Sequence, residues 1–167
     1  TAPWWDELAF VLEHATVRAA SVELGARTLA IEVGSLAGRR AALAAILPLL
    51  RVAPTDMRVR LDRLRTALGV SAPAPCELAD WRLAQRLVDA GMEIGAHTLT
   101  HPFLTTLSPA EQAAEIRGSV ECIHSRLGVT PTGLAYPVGD HDDHTVEATR
   151  AAGLAYAVTT QAGDCRP

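Results

Sequence analysis

The chain has no lysine; all 15 of its basic residues are arginine. That absence excludes a lysine nucleophile, a Schiff base and the lysine of a phosphate-binding loop. Compositional bias in an Arg- and Ala-rich genome accounts for it without a functional reason. Cysteine is scarce. Cys76, Cys122 and Cys165 lie far apart and form no CxxC pair, so neither a disulfide framework nor a thiolate zinc site is expected, and the redox compartment stays open. Basic charge is not in excess either. A formal net charge of -4 and a pI near 5.8 argue against nucleic acid or an anionic membrane surface as partner. No apolar run reaches the roughly 18 residues of a membrane span. The opening Thr1-Ala2-Pro3-Trp4-Trp5-Asp6 lacks the basic and then apolar order of a signal peptide, which leaves cytoplasmic and exported locations both open.

What remains is a chain of 167 residues, 49% hydrophobic, enough to build a real core. The first part reads as helical. Trp5, Leu8, Ala9 and Leu12 recur at i, i+3, i+4, i+7. Residues 21–34 alternate around a glycine and predict a short hairpin. Helices are expected from about Arg39 to Leu50 and from an N-cap at Thr55, through Leu61, Leu64 and Leu68, to Gly69. Ser71-Ala72-Pro73-Ala74-Pro75 then forms a stiff linker. The expected division falls at this linker, into a largely helical part with a short hairpin, 1–75, and a second part, 76–167.

After the linker, a helix ending in Gly is followed three times by a short apolar strand. Arg82 to Ala90 leads through Gly91 into Met92–His97. A long helix ending at Gly128 leads into Leu134–Pro137, and Val146 to Ala152 leads through Gly153 into Leu154–Thr159. Each strand of a parallel sheet must be reached by a crossover, and Gly supplies the left-handed helix stop, so this repeat predicts an α/β fold. The long helix has the clearest start. Ser108-Pro109-Ala110-Glu111 places Ser at the N-cap, Pro at N1 and Glu at N3.

In such folds functional residues gather at the C-terminal ends of strands. That rule selects His97-Thr98-Leu99-Thr100-His101, Tyr136-Pro137-Val138-Gly139 with the Asp140–His144 run behind it, and Thr159-Thr160. His97 and His101 are four residues apart, so one turn of chain points both imidazoles at one site, and neutral imidazole is the commonest metal ligand. The spacing alone is also compatible with histidines capping carbonyls. Asp140–His144 reads first as a solvated helix start, capped by Asp142 or Asp143. His14 and His124 fall within helical patterns at the surface or its boundary.

The segment Asp89-Ala90-Gly91-Met92-Glu93-Ile94-Gly95-Ala96-His97-Thr98-Leu99-Thr100-His101-Pro102, the capped helix after it and Leu134-Ala135-Tyr136-Pro137-Val138-Gly139 together resemble the polysaccharide deacetylase family, the fourth family of carbohydrate esterases. The resemblance covers about residues 78–162. Trp4-Trp5-Asp6 and the helices after it look, more loosely, like an insertion of some bacterial members. The resemblance implies a distorted (β/α) barrel, incomplete here, that removes acetyl groups from sugars with zinc or another divalent metal such as Co2+, Ni2+ or Mn2+. It implies His97 and His101 as metal ligands, Thr98 as a hydrogen-bonding support, and Tyr136 and Val138 in the catalytic segment. Val138 would supply a backbone N–H for the oxyanion.

The chain departs from the family pattern in three ways. No strand-ending Asp-Asp pair occurs. Ala135 stands where many members have an arginine. The motif of the general-acid histidine would lie beyond Pro167. The general base, the metal carboxylate and the general acid are therefore unassigned, and strands before Thr1 and after Pro167 are expected. Three readings follow: a metal-dependent deacetylase acting on an acetylated polysaccharide or oligosaccharide; a non-catalytic glycan- or protein-binding relative; and an unrelated metal hydrolase using Asp140 or Asp142 as the missing ligand. Trp4, Trp5 and Trp81 are the obvious sugar-stacking aromatics, and the glycan itself is not specified.

Overall fold

The computed structural model describes residues 2–76 and 78–163. Cys165 lies outside them; Cys76 is exposed and Cys122 half-buried. The chain divides into two compact units, one up to Leu78 and one from Ala79.

In the first unit, α1 (Trp4–Glu13) precedes a hairpin of β1 (Ala19–Leu24) and β2 (Arg27–Glu32). The hairpin turns at Gly25, whose φ of 68° suits glycine, and its antiparallel register pairs Leu24 with Arg27 and Val22 with Leu29. Next come α2 (Leu36–Ile46), capped by the Ser35 side chain, a 3-10 turn Leu47–Leu50, and α3 (Pro54–Ala67). The α3 start differs from the expected cap. Pro54 takes the first helical position, which needs no N–H donor, so Ala53 is the N-cap and Thr55 lies inside. On α1 the buried stripe is Leu8, Val11 and Leu12, while Trp5 and Ala9 are exposed. Glu7 is buried on the same face because Arg58 and Arg65 of α3 reach it at 2.6 and 2.8 Å. Leu61, Leu64 and Leu68 supply the facing apolar surface.

The second unit is built from α4 (Trp81–Asp89), α5 (Pro109–Leu127), β3 (Gly133–Ala135), α6 (Asp143–Ala151) and β4 (Tyr156–Val158). The capping box at Ser108 and Glu111 forms as expected, and Gly128 ends α5 in the left-handed region at φ 68°. Ile116, Ser119, Ile123 and Leu127 lie on one buried stripe of α5. The three apolar residues pack into a core with Leu104, Leu134, Tyr136 and Leu154. β3 and β4 pair in parallel, Gly133 to Tyr156 and Ala135 to Val158. The strand expected at Met92–His97 is reduced to one parallel bridge, Ala96 to Leu134, held by Ala96 N–H to Gly133 O and Ala135 N–H to Ala96 O. Met92 is 59% exposed, and of the run before Ala96 only Ile94 packs against the core. Among the described residues the parallel sheet is this three-segment α/β layer, with Leu134 at its centre; no closed barrel forms among them. Among the described residues, no helix is long and apolar enough to cross a membrane.

Candidate metal centre

The parallel order carries three chain ends to one side: residues 97–101 after the Ala96 bridge, 136–140 after β3, and 159–160 after β4. His97 follows the bridge directly. Its Nδ1 lies 2.6 Å from the Ala135 carbonyl oxygen. A carbonyl only accepts, so Nδ1 carries the proton and Nε2 of the neutral ring keeps its lone pair for a ligand. The chain then reverses through Thr98 (φ 64°) and His101 (φ 56°), both left-handed and neither glycine. Thr98 Oγ1 accepts from the His101 N–H at 3.1 Å, so the expected supporting residue does hold the second histidine's backbone. The reversal sets the two imidazoles edge to face, centroids 4.8 Å apart at 74°. Burial, reinforced by the repulsion that a second proton beside His97 would meet, holds His101 below the usual imidazole pKa, in the neutral form that binds metal.

The residues after β3 are arranged differently from one another. The Tyr136 side chain is buried, its hydroxyl 3.0 Å from Thr149 Oγ1 and its N–H donating to Val158 O. Both polar groups are engaged inside the fold. Val138 is 44% exposed and sits at φ 51°, ψ 15°, a region a β-branched residue seldom enters. Thr160 Oγ1 donates to Val138 O at 3.1 Å and so joins the third strand end to this turn. At Gly139 (φ 74°) a Cβ would lie 2.4 Å from Thr160 Oγ1 and 2.7 Å from Thr160 N. Glycine is required there by both conformation and space.

The carboxylates of the acidic run take hydrogen bonds from neighbouring elements. Asp140 is buried and accepts from Thr105 N–H at 2.8 Å and from its hydroxyl. Asp142 caps α6 through Thr145 N–H and accepts from Gln112 Nε2. Burial raises the Asp142 pKa, but the bonds from Thr145 and Gln112 and the nearby His144 outweigh it and leave the carboxyl below its usual range. His141 stacks on Tyr136 with ring centroids 5.3 Å apart.

Among the described residues no group of three or more His, Cys, Asp or Glu side chains could hold a metal ion. The histidine pair nonetheless fits as part of a ligand set. Two nitrogens bound to one zinc at about 2.0 Å stand about 3.3 Å apart in tetrahedral geometry, which rings with centroids 4.8 Å apart permit.

Two residues of the site were missed from sequence. Glu115 accepts the N–H groups of Leu99 and Thr100, and Ser119 Oγ accepts the N–H of His97. A signal existed for Ser119, a polar residue on the otherwise apolar stripe of α5.

Histidines at a strand end beside a strained backbone turn place the second unit among α/β proteins that work from the C-terminal ends of their strands. The polysaccharide deacetylase family model matches residues 60–157, and the chain belongs to that family. The match begins inside α3, upstream of the histidine motif. Chitin deacetylase 1 of Cryptococcus neoformans var. grubii is 37% identical over 75 residues, 45% of this chain and 16% of that protein. Chitin deacetylase 2 of the same fungus is 42% identical over 65 residues, 38% of this chain and 14% of that protein. The chain thus spans about a sixth of the length of these curated relatives. Among solved structures, the BpsB deacetylase domain of Bordetella bronchiseptica superimposes with a TM-score of 0.51 at 18% identity, covering 56% of this chain and 47% of that one, a likeness of fold. The Streptococcus pyogenes deacetylase PplD, in complex with acetate, matches at TM-score 0.48 and 26% identity over 57% of this chain and 40% of its own.

Proposed function

We propose that the chain carries part of the active site of a metal-dependent carbohydrate deacetylase, with His97 and His101 as two ligands of zinc or a similar divalent metal. The observation that carries this reading is the His97 Nδ1 bond to Ala135 O, which frees Nε2 beside the neutral ring of His101. A divalent metal bound there supplies an acidified water and polarises an acetyl carbonyl. Thr98 holds the His101 backbone. Val138, fixed in its left-handed turn by Thr160, is the residue whose N–H would donate to the oxyanion. Tyr136 belongs to this site as the buried residue that anchors the start of the turn through Thr149. The substrate is an acetylated polysaccharide or oligosaccharide, consistent with the names of the chitin deacetylase relatives. The 1–75 segment is proposed as an insertion attached to the metal-binding part.

Acetate release from N-acetylglucosamine oligomers in the presence of zinc tests the reading. Release that is lost on chelation and in His97→Ala supports it. A second reading is favoured by Ala135, a methyl group where the family resemblance places an arginine: a glycan-binding relative without turnover. Glycan binding with no acetate release, unchanged by His97→Ala, would select that reading.

A further inference from the structure

The loop that presents the two histidines holds an unfavourable backbone. Thr98 and His101 both sit at positive φ without being glycine. Such residues persist only where their surroundings over-determine them, so the question is what holds this loop. The answer lies mainly on α5. Glu115 Oε2 accepts from the N–H groups of Leu99 and Thr100, each at 2.9 Å, and Oε1 accepts from the Thr100 hydroxyl at 2.7 Å. One turn further along the helix, buried Ser119 accepts from the N–H of His97 at 3.2 Å. Between them, Gly118 leaves room for Leu99, whose Cδ1 would lie 2.4 Å from a Cβ there.

Two successive N–H groups that converge after a left-handed residue form an anion-binding nest. Here the anion is part of the protein, and its bonds are charge-assisted. We propose that Glu115 is a positioning residue: its carboxylate fills the Leu99–Thr100 nest and so sets the reversal that returns His101 to the side of His97. The proposal rests on the reading of the two histidines as metal ligands. In this arrangement both oxygens of Glu115 are turned to donors of the loop.

Two variants separate this role from a merely structural one. Glu115→Ala removes every acceptor while leaving a good helix former on α5. Glu115→Gln keeps one oxygen for the two N–H groups, and its NH2 can face the Thr100 hydroxyl, which is able to accept. Three measurements on the intact chain read the outcome: the nuclear Overhauser effect between the His97 and His101 rings, amide exchange at Leu99 and Thr100, and Co2+ affinity from visible absorption. In Glu115→Ala the ring-to-ring effect should vanish, the two amides should exchange faster, and Co2+ affinity should fall by about tenfold or more. Ile116 and Ile123 should stay protected, showing that α5 is intact. Glu115→Gln should retain the ring contact and most of the affinity. Unchanged ring contact, exchange and affinity in Glu115→Ala would overturn the proposal. If the wild type takes up no Co2+, the metal reading fails, while ring contact and exchange still decide the role of Glu115.

Discussion

His97 and His101 share a short loop and differ in what surrounds them. His97 is exposed and tied by Nδ1 to a carbonyl, whereas burial and the neighbouring ring depress the pKa of His101 from the ordinary value of 6.5. Since the folded value is the lower one, an unfolded chain takes up a proton at this residue before the folded chain does. The contribution is fully present above about pH 6.5 and is lost as the pH falls from there through the folded pKa. Thermal melts between pH 7 and pH 5 should therefore show a steeper loss of stability in the wild type than in His101→Asn. Equal slopes would contradict the assignment. The same shift keeps His101 available to a metal at a pH where an exposed imidazole is already protonated.

At the scale of elements, left-handed turns decide where the functional backbone lies, and they do not all cost the same to alter. A Cβ added at Gly128 would meet no atom within 4 Å, so Gly128→Ala should cost about 1 kcal/mol, the left-handed penalty alone. At Gly139 the same penalty is joined by a clash with the Thr160 backbone nitrogen at 2.7 Å, so Gly139→Ala should cost clearly more and disturb the Val138 turn. Paired denaturation curves give the order, and equal costs would show that Thr160 yields freely. Elements bounded by such punctuation were legible in sequence: the Gly25 hairpin, α5 between Ser108 and Gly128, and α6 capped by Asp142. The Met92–His97 strand was over-read because an apolar run names no pairing partner, and only Ala96 found one. Glu115 was not legible at all. Its role depends on a backbone reversal 15 to 16 residues away along the chain, which side-chain periodicity does not encode.

For the whole molecule, family membership and strand-end placement converge on one face of the second unit. The histidine motif and the Tyr136–Gly139 turn were readable as a pair because parallel strands bring their C-terminal ends to one side. Which member of the turn points outward was not readable: Tyr136 is buried and Val138 exposed, reversing what their side-chain chemistry suggests. The proposed function stands or falls on whether His97 and His101 act as one metal-binding pair. Imidazole 15N resonances followed during a zinc titration decide this without reference to any substrate. The ring nitrogens of His97 and His101 should shift together and saturate at the same zinc concentration, with His97 responding at Nε2, while His14, His124, His141 and His144 stay behind. Independent shifts at His97 and His101, or none at either, would contradict the pairing.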